Sequence, residues 1–434
     1  MAADVDPLAY LFGLGQFGIK FGLDNIRTIT DALGRPDRAF RSIHVAGTNG
    51  KGSVTAMLDA ALRAAGHRSA RYTSPHMVDL SERFVIDGSP VTHEALVGVL
   101  GRLRERIGAL VANGSLPAQP TFFEVTTAAA LELFREAGVE IAVMEVGLGG
   151  RLDATNVLTP VLSAITSIAF DHEKYLGNTL AAIAAEKAGI IKPDVPVVIG
   201  SMEPEPRMTI ERIARERGAP VISAWEGVSV ERLSQPRGAP TRMRLRTPER
   251  DYGEVLLALR GAHQIANAVV AIRLLECLAA VGIDVPAGAI VEGMAHVAWP
   301  GRLEHRHLPD GREAILDAAH NPAGAATLAA YLAETCLEKP PMVFAVMADK
   351  DVDRMFEVLL PRISALIITR SSYTRSADAE TLAEKARAIA PDLPVIIKPI
   401  RSEALSAAWE LSPQIVIAGS IFLLGDMMSE PGLS

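Results

Sequence analysis

The chain has 434 residues, 49% hydrophobic and 22% charged, with a formal net charge of -8. That length holds two or three domains at roughly 100–200 residues each, with ample apolar material for their cores. The acidic balance excludes a global field that would draw in nucleic acid or anionic lipid, so an anionic ligand must meet locally placed cations. Two cysteines, Cys277 and Cys336, provide no disulfide framework and no cysteine metal site. The start of the chain lacks a basic segment followed by a long apolar core, and no apolar run is read as reaching the roughly 20 residues of a membrane helix. The expectation is a cytoplasmic monomer with small-molecule partners, without nucleic acid or membrane.

Short β-branched runs followed by helical stretches recur, the pattern of a parallel sheet flanked by helices. In chain order, a strand is expected over 42–46 and helices over 53–65 and 123–137. Strands over 141–146 and 162–168, a helix over 181–188 and a strand over 195–199 follow. Residues 200–260, rich in Arg and Pro, read as a less regular β region before a helix over 265–281. Trp299-Pro300-Gly301 then interrupts the pattern. Beyond it, strands are expected over 314–317, 342–346, 365–369, 395–398 and 415–418, with helices over 323–335 and 377–389. The division is a nucleotide-binding domain at 1–295, a hinge at 296–302 and a smaller doubly wound α/β domain at 303–434. A cleft between two such domains is the expected substrate site.

The strongest local signal is the run Gly47-Thr48-Asn49-Gly50-Lys51-Gly52-Ser53 between a strand and a helix. A Gly-rich turn at a helix N-terminus aims several backbone N–H groups at a phosphate, with Lys51 as mobile counter-charge and the Ser53 hydroxyl available to Mg²⁺. It departs from the general P-loop pattern: Val45 stands where the first Gly belongs, and Gly52 separates Lys51 from Ser53. The competing reading is a tight strand–helix turn whose glycines only relieve sterics.

Other residues carry two readings each. Glu145 closes an apolar strand and emerges where ligands bind in open α/β sheets, as a metal ligand or as an ordinary surface carboxylate. Lys187 lies at a helix end, where a lysine commonly complements the macrodipole. Arg302 has the spacing for a hinge salt bridge with Glu304. Phe122 and Phe123 suit a flat ring but equally suit a core, and pattern alone favours the core.

Several blocks in order resemble the folylpolyglutamate synthase and dihydrofolate synthase branch of the Mur ligase superfamily. They are Gly47 to Ser53, Thr73-Ser74-Pro75-His76, the run Glu145-Val146-Gly147-Leu148-Gly149-Gly150-Arg151-Leu152-Asp153-Ala154-Thr155-Asn156, Asp171-His172 and Glu186-Lys187-Ala188-Gly189-Ile190. Ala262-His263-Gln264, Pro300-Gly301-Arg302-Leu303-Glu304, Asp317-Ala318-Ala319-His320-Asn321-Pro322 and Gly419-Ser420 complete the series.

The resemblance implies a P-loop-type ATP-binding domain with a parallel sheet, followed by a smaller Mur-type C-terminal domain. It implies ATP contacts from Gly47 to Ser53 and from Asn267, Arg302, Asp317 and His320. It places Mg²⁺, as two ions, near Ser53, Glu145 and His172, and makes Lys187 an N6-carboxylysine that helps hold the second ion. Catalytic roles fall to Lys51, Lys187 and His172. The pterin-contacting positions are Ile19, Lys20, Phe21, Ser74, His76, Phe122, Phe123, Glu124, Val125, Leu152, Asp153 and Ala154. Ala318 stands where the family often has Gly, which puts a close backbone approach there in doubt. The implied reaction joins L-glutamate to dihydropteroate or to tetrahydrofolate polyglutamates, through an acyl phosphate that yields ADP and phosphate. The alternatives are a Mur-type ligase of cell-wall peptide precursors and a nucleotide-binding switch without catalysis.

Overall fold

The computed structural model describes residues 6–18 and 20–433. An eight-stranded sheet orders its strands Ser89–Pro90, Phe84–Ile86, Ser69–Tyr72, Ile141–Glu145, Arg41–Ala46, Leu162–Ile165, Val197–Ile199 and Val221–Ser223. Phe84–Ile86 pairs antiparallel with both of its neighbours at one edge, and all the other pairs are parallel. Strands buried on both faces need apolar residues at every position, not at alternate ones, and Ile141–Glu145 is buried throughout. Helices cover both faces: Lys51–Ala64 and Ala262–Cys277 share one core with the central strands, while Phe122–Glu136 packs on the other side.

The 200–260 segment departs from its reading as irregular β structure at its start. Residues Pro204–Glu216 form a helix that buries Ile210 and Ala214, and Val221–Ser223 extends the main sheet. Beyond that the β reading holds: Ser229–Arg232, Thr241–Arg246 and Asp251–Leu257 make a three-stranded antiparallel sheet. Thr241–Arg246 alternates buried and exposed residues, with Met243 and Leu245 turned into the main core and Arg242 and Arg244 outward. The arginines that made this stretch look irregular are its solvent face.

A third, six-stranded sheet orders Glu304–His307, Glu313–Asp317, Gln414–Ala418, Met342–Phe344, Leu366–Ile368 and Val395–Ile397. Only its first pair is antiparallel. The last helix of the preceding region ends at His296 and this sheet begins at Glu304.

One stretch corrects the sequence reading. Ala262–Val281 is long and apolar enough, by length and composition, to cross a membrane. Most of it is buried among core residues such as Ile265, Val269 and Ile272, as a central core helix of an α/β domain requires.

Candidate active site

The strand expected over 162–168 stops at Ile165 because its continuation bonds to the Gly-rich loop. The Thr166 and Ser167 hydroxyls donate to the Asn49 carbonyl at 2.7 and 3.0 Å, and Thr48 N–H donates to the Ser167 carbonyl at 2.7 Å. These side chains replace the sheet ladder and fix the loop. Gly47, at φ 146°, passes so close that a Cβ would lie 1.9 Å from the Thr166 hydroxyl, so no other residue fits there. Gly50, at φ 88°, ends the turn against Asn267, and Gly52 lies against the Trp299 ring.

Two lysines converge on this loop. Lys51 donates to the carbonyls of Gly47 and Thr48, at 3.1 and 3.0 Å. Lys187 donates to the same Gly47 carbonyl at 2.9 Å and is only 5% exposed. Burial, reinforced by the positive charge of Lys51, pushes the Lys187 amine down to about 7. This is not a lysine neutralising a helix end at the surface.

Glu145 is 4% exposed, so it is not a surface carboxylate. Among the described residues its one hydrogen bond is a long one from the Ser74 N–H, at 3.4 Å. Burial pushes its carboxyl up to about 7 against the pull of Lys51, Ser74, Arg302 and Arg83. Nearby, the Ser53 hydroxyl accepts from Gln264 at 3.2 Å. His172 opens a short helix at φ 52°, and burial lowers its imidazole to about 4, the neutral, metal-ligating form. A poorly solvated carboxylate, a hydroxyl and a neutral imidazole in one cavity with Lys187 form a donor set that fits a divalent cation.

Arg302 does not pair with Glu304. That carboxylate accepts from Arg306 and from the Gly301 N–H, while the half-buried Arg302 donates to the Gly301 carbonyl at 2.9 Å and lies in the fields of Asp317 and Glu145. Asp317 accepts from the N–H groups of Leu303 and Ala319, at 2.9 and 3.0 Å. Ala318 makes an ordinary backbone bond to Gly301 and lies outside the left-handed region, so its methyl costs no strain.

A second cavity, of about 360 Å³, adjoins the one lined by the Gly-rich loop. Lys20, Phe21, Phe122, Phe123, Glu124, Leu152, Asp153 and Ala154 all line it. Phe122 and Phe123 are thus cavity walls as well as partners of the core. Glu124 is mainly a helix cap, accepting from the Thr121 N–H at 2.7 Å and its hydroxyl at 3.0 Å. Asp153 is tied to the N–H groups of Leu148 and Thr155, and burial raises its carboxyl.

Two of the expected contact residues line neither cavity. Val125 is fully buried in the core, while its neighbours at 122 to 124 line the cavity. His76 lines neither cavity and instead accepts from Arg83 Nε at 2.9 Å. Ile19 lies outside the described residues.

Sequence reading missed the cross-domain contacts. Asp171 accepts from Lys350 at 2.6 Å and from Asn321 at 3.1 Å, and Asn49 and Asn321 exchange hydrogen bonds at 3.0 and 3.3 Å. Arg83, Arg375, Ser420 and Phe422 also enter the second cavity. A lysine flanked by two aspartates, Asp349-Lys350-Asp351, was the available signal for one of these.

A Gly-rich phosphate loop, a buried carboxylate and cation cluster and a second α/β domain closing over both define an ATP-dependent ligase of the Mur class. The Mur ligase middle domain matches residues 45–275 and the Mur ligase glutamate ligase domain matches 301–421. The chain belongs to the dihydrofolate synthase/folylpolyglutamate synthase family. A Bacillus subtilis dihydrofolate synthase/folylpolyglutamate synthase is 33% identical, over 97% of both chains. The Mycobacterium tuberculosis folylpolyglutamate synthase complexed with ADP and AMPPCP superposes with a TM-score of 0.89 at 34% identity, over 98% of each chain. The Escherichia coli FolC in complex with DHPP and ADP gives 0.84 at 27% identity, over 98% of this chain and 97% of that one.

Proposed function

We propose that this ligase joins L-glutamate to a pterin-bearing carboxylic acid, dihydropteroate or a tetrahydrofolate polyglutamate, at the seam between its two cavities. The observation that carries this reading is that seam. The aromatic-walled cavity and the phosphate-loop cavity share Ser74, Gly147, Leu148, His172, Arg302 and His320. A flat ring held between Phe122 and Phe123 would thus point its far carboxylate toward Arg302 and the nucleotide's terminal phosphate.

In the first step the acceptor carboxylate attacks the γ-phosphate of ATP, giving an acyl phosphate and ADP. The glutamate amine then displaces phosphate and forms the amide. The carboxylate must be activated because it resists nucleophiles, and phosphate leaves readily. Lys51 and Arg302 stabilise charge passing across the transfer, a task of positioning and electrostatics. Asn267 and the Gly47-to-Ser53 loop hold the nucleotide from one domain, Asp317 and His320 from the other. Lys20, Arg83, Lys350 and Arg375 supply the local cations that an acidic protein needs around anionic substrates.

Ser53, Glu145 and His172 would hold Mg²⁺, which when bound neutralises phosphate charge. With its amine lowered to about 7, a substantial share of Lys187 is neutral near pH 7, the form that combines with CO₂, and the resulting carbamate would supply oxygen ligands for a second ion. Contacts between Asp171, Asn49, Asn321 and Lys350 keep the domains closed and water away from the acyl phosphate.

The test is one assay offering dihydropteroate, tetrahydrofolate and its polyglutamates with ATP, Mg²⁺ and L-glutamate. ADP should form only when acceptor and amine are both present. Full turnover without glutamate, or no product from any pteroate or folate, would overturn the assignment and favour a switch or a cell-wall peptide ligase.

A further inference from the structure

Outside the cleft, the edge hairpin of the C-terminal sheet gathers three metal-competent side chains. Strands Glu304–His307 and Glu313–Asp317 pair antiparallel with His307 opposite Glu313. His305 and His307, two residues apart on one strand, therefore share the face that carries Glu313. His305 Nδ1 lies 2.6 Å and His307 Nδ1 3.6 Å from Glu313 Oε1, and the three ligand atoms all fall within 4.8 Å of one another.

The groups behind them are ordered as a ligand set requires. His305 Nε2 meets the Tyr331 hydroxyl at 2.7 Å, and Gln414 Nε2 donates to Glu313 Oε2 at 2.6 Å. These contacts fix the ring and the carboxylate from the rear and leave Nδ1 and Oε1 converging, the arrangement that orients metal ligands elsewhere. Gly238 leaves room for the His305 ring: a Cβ there would lie 3.1 Å from its Cε1. His307 is largely exposed, with its side chain 73% accessible, so the site opens to solvent and to water ligands.

We propose that His305, His307 and Glu313 bind one divalent transition metal ion of the Zn²⁺ class, separately from the catalytic cleft. Two imidazoles and one carboxylate suit Zn²⁺, with Zn–N and Zn–O bonds of about 2.0–2.2 Å, and disfavour Mg²⁺, which takes oxygen ligands. The ion ties the edge strand to its neighbour, and neither cavity of the cleft includes these residues.

The test is calorimetric titration of untagged, chelator-treated protein with Zn²⁺ in excess Mg²⁺, which keeps the cleft's oxygen ligands engaged. Wild type should bind one Zn²⁺ with an affinity that falls at least ~10-fold in His307→Ala. Co²⁺ should give visible absorption bands that the variant loses. His307 is exposed, so this variant keeps its fold; Glu313→Gln, which removes the anionic ligand while preserving shape, should show the same loss. Equal Zn²⁺ affinity in wild type and both variants, or no Zn²⁺ binding by wild type, would overturn the proposal and leave a His–Glu ion pair on an edge strand.

Discussion

The ammonium of Lys350 lies 2.6 Å from the Asp171 carboxylate, across the junction between the two domains, and both side chains are buried. Burial alone would raise the Asp171 carboxyl. The contact from His320 and the positive fields of His172 and Lys350 outweigh it and hold the group far below the usual carboxylate range. An ion pair this enclosed is strongly coupled to closure, because opening the domains leaves each charge to be resolvated separately.

Lys350→Met should therefore weaken closure. Breaking a buried pair by removing one partner costs about 3–5 kcal/mol where the remaining charge stays buried. The expected result is a large fall in kcat/KM and a lower Tm. Asp171's depressed value stabilises the protein above the unfolded carboxylate value of about 3.9 and is lost as pH falls through the folded one. Acid unfolding should then move to higher pH in the variant. Unchanged kinetics together with an unchanged acid transition would show that the contact holds nothing.

Lys51→Ala should abolish turnover and leave the fold intact, since Lys51 binds loop carbonyls without filling a core and, on the proposed reading, stabilises transferred charge. A loss of at least ~10²–10³-fold in kcat is expected for one such electrostatic partner. Activity within a few-fold of wild type, with normal circular dichroism, would make the loop a structural turn.

Lys187→Ala should lose most activity, and acetate should restore part of it by supplying the missing oxygen ligands. The linkage has a definite sign. With the folded amine at about 7 and the unfolded one near its ordinary ~10.4, the unfolded state binds more protons between those values, so this lysine's cost to stability shrinks as pH rises through that window. Lys187→Met should consequently gain most in Tm over wild type below pH ~7. A helix-end lysine at the surface predicts the reverse, at most about 1 kcal/mol of lost stability with near-normal turnover.

On the proposed reading Glu145 would ionise to hold Mg²⁺, and burial raises its carboxyl to about 7 in the metal-free protein. The folded state then binds more protons than the unfolded one between about 4.3 and 7, so without metal this group's contribution to stability falls as pH rises there. Mg²⁺ should offset that loss, raising Tm more at pH 8 than at pH 6. In Glu145→Gln the pH dependence of the Mg²⁺ shift should vanish. A wild-type Mg²⁺ response that is flat with pH would remove Glu145 from the metal's surroundings.

Much of this protein was legible in its sequence because the relevant signals are local. A β-branched run, a Gly-rich turn and a helix must follow one another for a phosphate loop to form, so 43 to 53 could be read directly. The parallel strands were recognisable because burial on both faces demands continuous apolar residues. The alternation in Thr241–Arg246 was legible in principle, yet the dense charge of the whole 204–260 stretch masked a helix and a sheet behind one composition.

Tertiary structure decided what depends on partners distant in sequence. Arg302 could have paired with Glu304 by spacing, but packing turned it toward Asp317 and Glu145 and gave Glu304 to Arg306. Val125 and Phe123 sit two residues apart on one helix, and only the direction of the cavity makes one a core residue and the other a wall. Lys187 becomes a buried amine near pH 7 because Gly47 and Lys51, far earlier in the chain, are folded against it. Desolvation and long-range charge set such values, and neither is a property of the residues next to Lys187 in the chain.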